Sequence, residues 1–371
     1  MKIINAFVAA DDELAMEREE FIKMVGEVNR VLAARGYEVH ACGYDPARHS
    51  EMLSGSEIAF VMYHTKCGDF AGKEVDDAYE RIVQKQNPKR LYIFFKNDDG
   101  RPLDPSFVEF RDSFVKRFEH FFCAFENVDT LKLNFLLSLE NLISQDGGEQ
   151  FVKLDGTSVN VDGVNIGNIR KLPMISKNAG MNGLFVRLDE LKTAFERQKE
   201  VVDKDPTSED AYGELLDLSS RVTEMEDRVD RELAMSFGLA KRMSSVTIGE
   251  TNETLARARA AMERGEIKQA IEILEAADVT GNMTRLLRRK AEEVDEAKLE
   301  AKEFAACVDL ELFRIKALQH YAGMSEDERN AKIAEIRDGL LGELAEYREN
   351  SSVQLTAEID IMIERVKNCE G

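Results

Sequence analysis

Chemistry-bearing residues gather in one stretch of the chain. The apolar run Ile58–Tyr63 leads into His64-Thr65-Lys66-Cys67-Gly68-Asp69-Phe70-Ala71-Gly72-Lys73-Glu74. His64 stands where a strand should end, so it can hydrogen-bond a substrate or serve only the structure. Cys67 has no base placed to activate it, and a thiolate nucleophile is not expected. Glu74 opens a helical pattern, where the helix dipole alone favours a carboxylate by ~0.3–1 kcal/mol. Phe7, Tyr44 and Phe70 could stack on a flat ring. Phe7 and Phe70 suit a core equally well, whereas Tyr44 sits beside a proline turn and should be exposed. The chain has no G-x-G-x-x-G, no G-x-x-x-x-G-K-[ST] and no G-x-S-x-G, which disfavours the standard dinucleotide, P-loop and hydrolase sites. Its 5 cysteines are scattered without C-x-x-C, and its 5 histidines lack H-x-x-x-H spacing. Neither pattern predicts a metal centre or a disulfide framework.

The elements around that stretch alternate. Ile3–Ala9 has strand length and apolar content. Asp11 or Asp12 can cap the next helix, where Leu14, Phe21, Val25, Val28 and Leu32 recur at helical spacing. Gly36 ends it. Tyr37–Gly43, Ile58–Tyr63 and Leu91–Phe95 read as further strands, with a fifth over Phe121–Phe125. Helices are expected over Glu74–Gln86 and Thr130–Ile143, and the phenylalanines from Phe107 to Phe118 keep helical spacing suited to a core. Ile58, Phe60 and Met62 share one face of their strand, and Ala59, Val61 and Tyr63 the other. Both sets are apolar, so this strand should be central, with helices on both sides of a doubly wound parallel sheet. Such sheets take ligands at the carboxyl ends of their strands.

Asp155-Gly156 and Asp162-Gly163 sit between alternating residues and predict a small β-hairpin connector over 147–183. All 6 prolines lie at or before Pro206. Proline costs ~3 kcal/mol inside a helix, so the proline-free remainder, rich in Ala, Glu, Leu and Arg, should be helical. Leu255, Ala258, Met262, Gly265, Ala270, Ile271 and Leu274 predict a helical hairpin turning at Gly265, with the small-residue crossing of a tetratricopeptide repeat. The expected organisation is an α/β domain over 1–146, the connector, and a helical region over 184–371.

Composition narrows the function. A chain of 371 residues with net charge -21 has room for two or three domains. That charge disfavours nucleic acid as a partner, since phosphate binding draws on Lys and Arg. No apolar run approaches the ~18 residues of a membrane span, and acidic residues follow Ala10 where a secretory signal would continue. The expected location is cytoplasmic.

One resemblance is specific. Ser56-Glu57-Ile58-Ala59-Phe60-Val61-Met62-Tyr63, a short polar loop, then Phe70-x-x-x-Glu74 resembles the TIR domain, with Phe70 where the family usually has Trp. Ala6-Phe7-Val8-Ala9-Ala10-Asp11-Asp12 looks like that family's first strand and loop, and Gly43–Arg48 falls at its BB loop. The resemblance covers roughly residues 1–145 and is closest to bacterial TIR-like domains fused to helical repeats. It implies cleavage of NAD+ at the nicotinamide–ribose bond, with NAD+ as substrate and no resident cofactor. It implies Glu74 as the catalytic carboxylate and Phe7, Ala10, Asp11, Tyr44, His64 and Phe70 as substrate-binding candidates. It also implies self-association, an activator acting through the helical region, and a part in antiphage defence. Two other readings stay open, a non-catalytic interaction scaffold and a nucleoside deoxyribosyltransferase-like enzyme.

Overall fold

The structure is a computed structural model that describes residues 1–10, 12–43, 48–67, 73–96, 100–118, 122–145, 149–244, 253–277, 296–350 and 353–369. Contacts divide it into two compact units, and the chain crosses between them more than once. The first holds Met1–Asn182 and Leu233–Arg288, the second Gly183–Glu232 and Arg289–Gly371.

The first unit is built on five strands, β1 Lys2–Ala10, β2 Tyr37–Gly43, β3 Ile58–Tyr63, β4 Arg90–Lys96 and β5 Phe122–Phe125. They pair in parallel in the order β2-β1-β3-β4-β5. Helices α1 Ala15–Leu32, α2 His49–Ser54, α3 Lys73–Val83, α4 Pro105–Phe118 and α5 Val128–Gln145 connect and cover them. The central strand is β3, with all six residues buried. Phe60 points to the side of α1 and α5, where its ring lies 5.4 Å from both Phe21 and Phe135 and 5.5 Å from Phe94. Ala59, Val61 and Tyr63 point the other way, into a core with Leu53 of α2, Val75 and Ala78 of α3, and Phe107 and Phe114 of α4. Apolar side chains on both faces of β3 therefore reflect helices on both sides of the sheet.

The two expected caps of α1, Asp11 and the Asp12 side chain, lie outside the described residues. A short 3-10 turn, Asp12–Leu14, precedes the helix, and the position before Ala15 is Leu14, which makes no side-chain cap. Leu14 is fully buried, so the turn seats an apolar anchor at the foot of the helix. Gly36 does end the first helical segment, at φ +80°.

The connector has one strand more than a hairpin. β6 Val152–Asp155, β7 Ser158–Val161 and β8 Val164–Asn168 form an antiparallel sheet. Its second turn places Asp162 at φ +47° and Gly163 at +88°, the left-handed pair that a tight hairpin demands. Arg35 holds that turn through two bonds to the Asp162 carboxylate, at 2.5 and 2.8 Å. Buried Glu140 of α5 accepts from the backbone N–H groups of Phe151 and Val152, each at 2.7 Å, and pairs with Lys241 at 2.8 Å.

Helices α6 Pro173–Ser176, α7 Ala179–Lys204 and α8 Glu209–Ser244 follow, then α9 Glu253–Glu263 and α10 Ile267–Ala277. The α9–α10 hairpin turns at Gly265, as its spacing predicted. Gly265 has φ +79°, and a Cβ there would lie 2.6 Å from the Asn178 amide nitrogen. Left-handed backbone costs an L-residue ~1–2 kcal/mol, and the clash falls on backbone that cannot swing away. Gly265→Ala should cost at least ~2 kcal/mol of stability in denaturant unfolding, with early hydrogen exchange in α9 and α10. A stable Gly265→Ala protein would contradict this close approach.

The second unit is helical throughout its described residues. It contains parts of α7 and α8 together with α11 Glu296–His320, α12 Glu326–Asn350 and α13 Val353–Lys367. Val308 and Leu312, Leu340 and Leu344, and Ile359, Met362 and Val366 form a three-helix core. Ser325 and Glu328 exchange hydrogen bonds at the start of α12, a capping box. Among the described residues, no helix is long and apolar enough to cross a membrane.

Candidate functional site

In a parallel sheet every strand points the same way, so the loops after the strands share one edge. The strand order reverses between β1 and β3, and the connections diverge there to leave a crevice. Ala10, at the end of β1, is in register with Met62, one residue from the end of β3. Beyond those ends come Glu13 on one side and His64, Thr65 and Lys66 on the other.

A compact polar cluster occupies this point. The Thr65 hydroxyl donates to Glu13, 2.7 Å from both carboxylate oxygens, and the Thr65 N–H donates to Oε2 at 3.2 Å. His64 is 1 % exposed, with Nδ1 3.9 Å from the same carboxylate. Burial pushes the pKa of Glu13 up, but the two Thr65 bonds and the electrostatic influence of His64 and Lys66 outweigh it. The carboxyl is held below its usual range and stays ionised at neutral pH. One turn on, Glu17 pairs with Lys96 at the end of β4, at 2.7 Å. Thus one carboxylate from the turn before α1 and one from its first turn reach the ends of two strands.

The loop after β4 joins the cluster. The Asp104 N–H donates to the Thr65 carbonyl at 2.8 Å. The Asp104 carboxylate accepts from the Ser106 hydroxyl and backbone N–H, which holds it below the usual carboxylate range. Cys67 packs partly buried beside the core that β3 shares with α2, α3 and α4, and its thiol is pushed up by burial and then by Asp104. That shift disfavours the thiolate.

The chain matches no protein-family model, no curated protein and no solved structure.

The fold treats the residues singled out in the sequence differently. His64 and Ala10 come together at the ends of neighbouring strands, and the Ala10 carbonyl accepts from Arg18 at 3.5 Å. Glu74 is placed by its backbone as the second residue of α3, the helix following β3. Phe7 is fully buried among Ala59, Leu91 and Val75, so it serves the core and offers no open face. Asp11, Tyr44 and Phe70 lie outside the described residues. Glu13, Thr65 and the Glu17–Lys96 pair were not singled out as site residues. A signal for them existed in the sequence: an acidic residue just beyond the first strand and a hydroxyl just beyond the third meet if the order reverses between them. Among the described residues, no three His, Cys, Asp or Glu side chains group as a metal would need.

Two hollows lie away from this edge. A small apolar cavity of about 50 Å³ is lined by Leu133, Met174, Met243 and Met262 in the first unit. A broader groove of about 530 Å³ runs between α7 and α8 in the second, over Leu191, Ala194, Leu218 and Met225.

Proposed function

We propose that the α/β unit is a TIR-like effector that cleaves NAD+ at the nicotinamide–ribose bond. One observation carries the reading: Glu74 falls in the first turn of the helix that follows β3, and β3 borders the strand reversal. Doubly wound sheets take ligands at that point. The chemistry asks little of a general acid, because the nicotinamide ring is already cationic and leaves as a neutral molecule with the bonding electrons. The ribose is left with oxocarbenium character, and a fixed carboxylate stabilises that charge. Water, or a nucleophile within the ADP-ribose product, completes the reaction. Glu74 is the group proposed to face the ribose, and His64 the group proposed to orient substrate.

The helical second unit would then serve assembly or activation, and a second copy of the chain would help close the site around a dinucleotide. A role in antiphage defence follows from the same resemblance. The test is to incubate the purified full chain with NAD+ over a wide range of protein concentration and separate the products by chromatography. Nicotinamide should appear in equal amount with ADP-ribose or a cyclic isomer. Deoxynucleosides offered in parallel test base exchange on the same fold. Absence of nicotinamide at every concentration overturns the reading. Base exchange would then mark a deoxyribosyltransferase, and inertness an interaction scaffold.

A further inference from the structure

We infer that Glu13 is a positioning residue, which fastens the end of β3 through Thr65 and thereby sets where the β3–α3 connection leaves the sheet. The effect on turnover rests on the proposed role of Glu74, whereas the fastening does not.

The argument starts from how Thr65 spends its polar groups. Its hydroxyl and N–H both go to Glu13, and its carbonyl takes the Asp104 N–H. Thr65 is 9 % exposed, so water cannot readily replace these partners. Three separate connections therefore meet at one residue. Glu13 belongs to the link from β1 to α1, Thr65 to the link from β3 to α3, and Asp104 to the link from β4 to α4. The bonds to Glu13 are charge-assisted, and such bonds are roughly twice as strong as neutral ones. The Lys66 and His64 side chains add favourable charge around the carboxylate.

Geometry makes this more than a local tie. β3 ends at Tyr63, Thr65 follows two residues later, and α3 begins at Lys73. On this inference Thr65 fixes one end of the connection whose other end is the start of α3, where Glu74 sits. Displacing a reacting group by about 1 Å can cost about 100-fold in rate. Asp104, the residue before α4, hangs from the same threonine. Releasing Glu13 thus loosens Thr65 and, through its carbonyl, the Asp104 end of the link to α4.

The test uses the full-length chain with Glu13→Gln, Thr65→Val and Thr65→Ser. The first readout is amide hydrogen exchange of the segment containing Thr65, with β4 as internal reference. Loss of bonds to a charged group should speed exchange at Thr65 by about 10- to 100-fold in Glu13→Gln. Thr65→Val, which loses the hydroxyl donor, should move the same way, and Thr65→Ser, which keeps both donors, should restore protection. The second readout is nicotinamide release, where kcat should fall at least about 10-fold in Glu13→Gln with KM nearly unchanged. Wild-type protection in Glu13→Gln overturns the proposal, as does faster exchange with unchanged kcat. If Glu13→Gln fails to fold, the Thr65 pair decides: equal protection in Val and Ser overturns it. If the wild type releases no nicotinamide, the Glu74 reading falls and exchange alone decides the fastening. If it does release nicotinamide while the variants match it in both readouts, the fastening falls and the Glu74 reading stands.

Discussion

Glu74→Gln should lower nicotinamide release from NAD+ by about 10²–10³-fold while leaving the protein folded. The substitution keeps the size of the side chain and removes the charge proposed to face the developing cation. Its structural cost is small. A glutamate in the first turn of a helix gains ~0.3–1 kcal/mol from the dipole, so unfolding should shift by no more than that. The loss should appear equally in kcat and kcat/KM, the signature of an interaction made only in the transition state. The measurement is product formation at the protein concentration where the wild type is most active, with the unfolding midpoint taken alongside. A folded Glu74→Gln protein that turns over NAD+ at the wild-type rate removes Glu74 from the chemistry.

The largest expected effect on stability lies at Phe60. It is fully buried at the centre of β3, with ring contacts to Phe21, Tyr92, Phe94 and Phe135 between 4.9 and 5.5 Å. Phe60→Ala removes the ring from a site that α1, α5 and β4 enclose, and the β-sheet backbone cannot collapse to fill the space. Such truncations cost ~3–5 kcal/mol, through lost burial together with the cavity left behind. Because the chain has two units, the loss should be read locally, from hydrogen exchange of β3 and β4 amides, as well as from the denaturant midpoint. A loss below ~1 kcal/mol would mean that the central strand tolerates a void, which this packing does not allow.

Much of the first unit was legible because strands and helices write their burial into the sequence with different periods. β2 and β3 have the bounds their residues suggested, and two apolar faces placed β3 in the middle of a covered sheet. The helix α2 escaped notice, since His49–Ser54 is too short to display a period and ends at Gly55. The connector was read as a hairpin although Asp155-Gly156 and Asp162-Gly163 are two turns and require three strands. Periodicity also reports that a face is buried without naming what buries it. Leu233 and Phe237 continue the pattern of Leu215, yet the contacts group residues 233–288 with the sheet and Leu215 with the other unit. The Glu13–Thr65 cluster was hidden for a related reason: its partners are far apart in the chain, and only the strand order brings them side by side.

The return of the chain to its first unit also bears on how the protein is made. The sheet and α5 leave the ribosome early, but parts of their packing arrive late. The Ser244 carbonyl accepts from the Tyr92 hydroxyl, the Ser244 hydroxyl from Asn141, and Lys241 completes the pairing of buried Glu140. Gly265 then closes against Lys177 and Asn178. Synthesis at about 5–20 residues per second puts roughly 100 further residues, and roughly 5–20 s, between Asn182 and the end of that late contribution. Throughout that interval Tyr92 of β4, Asn141 of α5 and the Lys177–Asn178 backbone lack these late partners, and buried Glu140 of α5 has no lysine. The first unit thus matures only after the leading part of the second has been synthesised, which makes the interval a window for chaperone capture or for misassembly between neighbouring nascent chains.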